Sequence, residues 1–78
     1  MADELDVIAL KTDRPDLGLK AGEQGTIVLK YDEQNFLVEF SDSDGVEYAM
    51  PTLRADEVDI VWRIADHSPV PAGQRAAG

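Results

Sequence analysis

Apolar and polar residues alternate along most of this chain with the two-residue period of β-strands, and no stretch keeps the period of a helix. Residues 5–10 (LDVIAL) predict a first strand, short and rich in branched side chains. Residues 11–24 follow as a long loop holding Pro15, Gly18 and Gly22, and residues 25–31 (GTIVLKY) predict a second strand. After a polar turn at 32–35 (DEQN), residues 36–40 (FLVEF) alternate, with Phe36, Val38 and Phe40 on one face. Residues 41–45 (SDSDG) end in Asp-Gly, a strong hairpin signal. Residues 45–50 (GVEYAM) alternate again, with Val46, Tyr48 and Met50 sharing a face, until Pro51 removes a ladder donor. Residues 52–57 (TLRADE) are too short for a stable helix and predict one 3₁₀ turn. Residues 58–63 (VDIVWR) predict a fifth strand, with Val58, Ile60 and Trp62 on one face.

Beyond Ile64 the chain turns to prolines and small residues without periodicity, which predicts a disordered tail over residues 65–78. A flat sheet of five short strands leaves one face wet and two edges open, whereas closure buries the alternating face and removes the edges. The expected fold is therefore all-β: one five-stranded SH3-like barrel over residues 1–64, with one 3₁₀ turn and the disordered tail.

The glycines in GLKAGEQGTIV (18–28) raise the question of a phosphate-binding loop. Such a loop needs a following helix, whose N-terminal dipole faces the anion, and a lysine after its last glycine. Here a strand follows, Thr26 succeeds Gly25, and Glu23 repels an anion. The glycines read instead as backbone devices: Gly22 for positive φ in a turn, Gly25 for a bulge or close approach. LDVIAL, LGLKAGEQGTIV, FLVEF, DGVEYAM and TLRADEV, taken in that order, resemble a family of small acidic bacterial proteins of unknown function. The glycine turn is also similar to those of KOW-type ribosomal domains and of the nitrile hydratase β-subunit. The resemblance implies an SH3-like fold, no established activity, and an antitoxin or immunity role.

Size and charge narrow the function. A chain of 78 residues makes one small domain that buries roughly 60% of its unfolded surface, too little core to enclose a large cofactor. Without cysteine there are no disulfides, thiol nucleophiles or cysteine-built zinc sites, which fits a reducing compartment and an expected cytoplasmic location. The acidic start lacks the basic, apolar pattern of a signal peptide, and no apolar run is long enough to span a bilayer. Sixteen acidic residues against seven basic ones give a net charge of −9. Such a chain is repelled by nucleic acid and anionic membranes, both of which need cationic partners. The same charge suits a basic protein partner, for instance a toxin or nuclease.

No assembled chemistry stands out, and neither a catalytic residue, a metal site nor a cofactor is expected. The one histidine, His67, falls in the tail beside Ser68, where no base is held in geometry. Asp42 and Asp44 open like a calcium loop but lack its further oxygen ligands, so they read as turn caps. The paired carboxylates Asp32-Glu33 and Asp56-Glu57 sit in solvated turns. In a meander, alternate turns share an end of the sheet. That places Asp32, Glu33, Asp56 and Glu57 together, opposed mainly by Arg54, and the first loop and residues 41–45 at the other end. Loops on a rigid frame collect binding residues, so Asp32, Glu33, Arg54, Asp56 and Glu57 are the expected partner-binding residues. The leading expectation is a non-catalytic, acidic protein-binding module of the antitoxin or immunity-inhibitor type. One alternative is an accessory or maturation subunit of an enzyme, which requires Trp62, Leu17 or Leu19 at the surface. The other is an inhibitor that mimics nucleic acid.

Overall fold

A computed structural model describes residues 2–77. Its strands are β1 (Val7–Leu10), β2 (Gln24–Lys30), β3 (Asn35–Ser41), β4 (Glu47–Ala49), β5 (Thr52–Arg54), β6 (Val58–Arg63) and β7 (Ser68–Pro69), with 3₁₀ turns at Pro15–Leu17, Ala55–Glu57 and Ala72–Gln74. The antiparallel sheet runs β4-β3-β2-β1-β6-β7, and β5 pairs with β3. The all-β expectation holds, but there are seven strands in place of five and the sheet is open.

The extra strand β5 comes from the segment expected to be wholly a 3₁₀ turn. Asn35, Phe36 and Leu37 of β3 pair with Arg54, Leu53 and Thr52, while Phe40 pairs with Ala49 of β4. Pro51 lies between them. It cannot donate, yet its carbonyl still accepts from Val38 N at 3.0 Å, so β4 and β5 are two pieces of one broken edge.

The link from β5 to β6 curls the sheet. β5 lies beyond β3, whereas Val58 at the start of β6 pairs with Leu10 of β1. A flat sheet would separate these edges by four strand spacings, about 19 Å. A 3₁₀ turn advances only about 8 Å over four residue steps, so the edges must fold toward each other. No ladder joins β4 or β5 to β6 among the described residues, and the curl stops short of a closed barrel.

Inside the curl lie Ile8, Leu10, Leu19, Ile27, Phe36, Val38, Phe40, Leu53, Val58 and Ile60, all buried. The faces expected for residues 36–40 and for Val58 and Ile60 are as predicted, while Trp62 is half-buried beyond a register shift. The face expected for Val46, Tyr48 and Met50 is reversed: all three are exposed. Alternation gives a period but not its phase. Pairing sets the phase here, because Ala49 lies opposite inward-facing Phe40 and takes the core side of β4.

Both glycine readings survive. Gly22 has φ +88°, and a Cβ on Gly25 would lie 2.7 Å from Val38 Cγ1 and 2.9 Å from the Glu39 carbonyl oxygen. Gly25 is thus a point of close approach between β2 and β3.

Residues 65–77 are ordered, a second correction; Gly78 lies outside the described residues. Ser68 and Pro69 pair with Arg63 and Trp62. Farther on, Val70 N donates to Val61 O (3.0 Å), Ile60 N donates to Arg75 O (2.6 Å), and Arg75 Nε donates to Val70 O (2.9 Å). Val70 and Ala77 are buried. Prolines and small residues lack periodicity, but they suit a strap that covers the outer edge of β6 with few side chains of its own.

Candidate functional site

The turn between β2 and β3 and the Ala55–Glu57 turn do meet, through a hydrogen bond from Ala55 N to Gln34 O of 2.8 Å. Asp32, Glu33, Arg54, Asp56 and Glu57 are therefore neighbours. The rest of the expected charge layout changes. The curl sets the first loop against the same turn: Lys11 N donates to Glu57 O, and the Arg14 guanidinium pairs with the Glu57 carboxylate. Arg14, expected at the opposite end, belongs to this group.

Most charge in the group is satisfied internally. Arg14 also pairs with Asp16 at 3.0 Å, Arg54 Nε with Asp56 at 3.1 Å, and Lys30 with Glu33 at 2.9 Å. The hydrogen bond to Asp16 chiefly holds the Arg14 guanidinium above its ordinary value, and that to Asp56 does the same for Arg54. Glu57 also accepts from Arg54 N at 3.2 Å, which ties the turn to itself. Thr12, Arg14, Thr52, Arg54 and Glu57 line a polar cleft of about 420 Å³ between these elements. Both of its arginines already hold carboxylates, which ties these elements together.

Asp32 is the exception, as no cation pairs with it among the described residues. Its Oδ1 accepts from Gln34 N (2.8 Å) and from Asn35 Nδ2 (3.0 Å). The backbone donor at Gln34, followed by the Asn35 amide, holds its carboxyl below the ordinary 3.8. A depressed folded value means the charged form stabilises the fold above 3.8, and this is lost as the pH falls through the folded value. The destabilisation caused by Asp32→Asn should therefore be greater at about pH 7 than at about pH 2, as read by urea unfolding at each pH.

A second set of carboxylates without cations lies around the hairpin of β3 and β4. Every residue from Ser41 to Tyr48 is exposed. Asp42 Oδ1 accepts from Asp44 N (2.9 Å) and Val46 N (3.0 Å), and Gly45 takes φ +80°. Asp42 is thus the turn cap the sequence implied. Among the described residues, the acids with a lysine or arginine within 4 Å are Asp6, Asp16, Glu33, Asp56, Glu57 and Asp59. Glu23, Glu39, Asp42, Asp44 and Glu47, on or beside this hairpin, have none, and neither do Asp3, Glu4, Asp13, Asp32 and Asp66 elsewhere. The Tyr48 hydroxyl donates to Glu23 Oε1 at 2.9 Å, which raises the phenol above its ordinary range. Tyr48 of β4 and its flanking residues Val46 and Met50 stand exposed, and β4 pairs on one side only.

Sequence reasoning missed this surface because it assigned those apolar residues to the core. A second concavity of about 590 Å³, lined by Val7, Gln24, Val61, Trp62, Pro69 and Arg75, lies where the tail meets β6. The Arg75 Nε–H there is taken by the Val70 carbonyl. His67 stands edge-on to Trp62, ring centroids 5.7 Å apart. No group of three or more histidines and carboxylates fit to hold a metal ion occurs among the described residues, and no helix among them is long and apolar enough to cross a membrane.

Residues 4–60 match a family described as a domain of unknown function, DUF4926. The chain belongs to that family. The DUF4926 match takes in β1 to β5 and the first half of β6, and it stops short of the strap formed by the tail. The hairpin with its exposed edge lies inside it. No curated protein and no solved structure matches the chain.

Proposed function

We propose that this DUF4926 protein is a non-catalytic binding module for a basic protein, acting as an antitoxin or immunity-type inhibitor on a small SH3-like frame. The observation that carries this reading is the surplus of carboxylates left without cations, on a chain of net charge −9. Such a field draws a cationic partner at long range and repels nucleic acid and anionic lipid. Supporting it, the internal ion pairs hold the loops in fixed positions. The accessory-subunit alternative expects Trp62, Leu17 or Leu19 at the surface, but Leu19 is buried and the other two are half-buried.

The test is capture from the source-cell lysate on the immobilised full chain, followed by affinity measurement on the purified partner across a salt series. A basic protein whose affinity falls about tenfold or more between low and high salt is the expected result. A partner of neutral or acidic charge, held equally at both salts, would overturn the proposal in favour of an apolar accessory interface.

A further inference from the structure

The two outer edges of the sheet are treated differently. The chain folds residues 68–77 along β6 and covers that edge. The opposite edge, at β4, has no neighbouring strand among the described residues. An open edge exposes main-chain donors and acceptors that can template another strand. Beside it stand Val46 (61% exposed), Tyr48 (50%) and Met50 (40%). An edge kept only for solvent would carry polar side chains there.

We infer that the β4 edge takes up an extended, basic segment of a partner protein as an added strand. Charge selects the occupant. Glu23, Glu39, Asp42, Asp44 and Glu47 surround the edge, and none has a cation within 4 Å among the described residues. A second copy of this chain would bring a second set of these carboxylates against the first, and like charges set directly opposite across a ladder are destabilising. A segment alternating lysine or arginine with apolar residues meets both needs. Its cations face the carboxylates, and its apolar side chains cover Val46, Tyr48 and Met50. β4 is only three residues long, so main-chain bonds alone would hold a strand weakly, and the side chains must supply the specificity. This inference rests on the proposed function and names its surface, in place of the internally paired group at Asp56 and Glu57.

The probe is a synthetic peptide alternating lysine and valine, with blocked ends, titrated into the ¹⁵N-labelled full chain and followed by amide shifts. Controls are the same peptide with glutamate for lysine, and one with two central N-methylated residues that cannot donate. The expected result is saturable shifts confined to residues 40–50 and Glu23, with slowed exchange of β4 amides. Binding should weaken at least about fivefold for Val46→Thr/Tyr48→Ser and for the N-methylated peptide, and be absent for the glutamate peptide. Shifts centred on Asp32, Glu33 and Asp56 would overturn the edge and leave the acidic-module reading standing. No shift with the lysine peptide, while the partner captured from lysate still binds with salt dependence, would do the same. Equal binding of the glutamate peptide would overturn the charge argument. Dilution-dependent broadening of β4 amides without peptide would make the occupant a second copy and overturn the inference too.

Discussion

Asp6→Ala is expected to remove about 3 kcal/mol of stability, a large part of what a domain this size possesses. Asp6 is the one buried charged residue among the described residues, 1% exposed. One carboxylate oxygen accepts from Ile64 N at 2.9 Å, across 58 positions of sequence. The other accepts from Asp3 N at 3.0 Å and lies 3.9 Å from the Arg63 guanidinium. Asp6 therefore pins the first turn to the end of β6. Alanine leaves the part-buried Ile64 donor without its acceptor, while the exposed Asp3 N–H regains solvent. Asparagine should rescue only in part, because its amide nitrogen must face one of the two donors. Thermal unfolding reads the effect directly: about 4–8 °C per kcal/mol predicts a melting temperature lower by roughly 12–24 °C for alanine. A loss under about 3 °C would show that the carboxylate is not the pin described.

Gly25→Ala carries the second large effect. The added methyl would meet Val38 Cγ1 at 2.7 Å, the Glu39 carbonyl oxygen at 2.9 Å and Phe40 Cδ2 at 3.1 Å. Val38 and Phe40 are fully buried, and Glu39 pairs with Thr26 in the same ladder, so none of these atoms is the free end of a flexible chain. β2 and β3 must part to admit the methyl, which costs about 1–3 kcal/mol. The lower entropy of the unfolded alanine chain returns roughly 0.4–1 kcal/mol of that. A net loss of about 1–2 kcal/mol is expected, and valine should lose more. Gly73→Ala is the control: it has ordinary backbone and nothing within 4 Å, so its stability should stay within about 0.5 kcal/mol of the parent. Urea unfolding of the three variants distinguishes crowding at Gly25 from a general intolerance of substitution.

These two residues show what the sequence makes legible. Gly25 could be read because a glycine entering a branched strand has few other uses, and the close approach is where that reading put it. Phe36, Val38 and Phe40 could be read because their period is intact and their strand is central. The phase of residues 45–50 could not be read, since it depends on which residue meets Phe40 across the ladder. Asp6 could not be read either: its partner is Ile64, and nothing local links them. The strap formed by residues 68–77 escaped for a related reason, since its order comes from the edge of β6 and not from its own composition. At the candidate site, the sequence located the carboxylates but not their partners. Arg14 reaches Glu57 only because the sheet curls, and that pairing compensates charge at the Asp56–Glu57 turn.

The most direct test of the account compares the purified captured partner against the parent chain and the triple variant Asp42→Asn/Asp44→Asn/Glu47→Gln across a salt series. The variant should keep its melting temperature within a few degrees, since the amide oxygen of an asparagine at position 42 can still accept within the turn. It should bind at least about tenfold more weakly at low salt and lose much of its salt dependence. Equal affinity and an equal salt slope for the two chains would contradict the account.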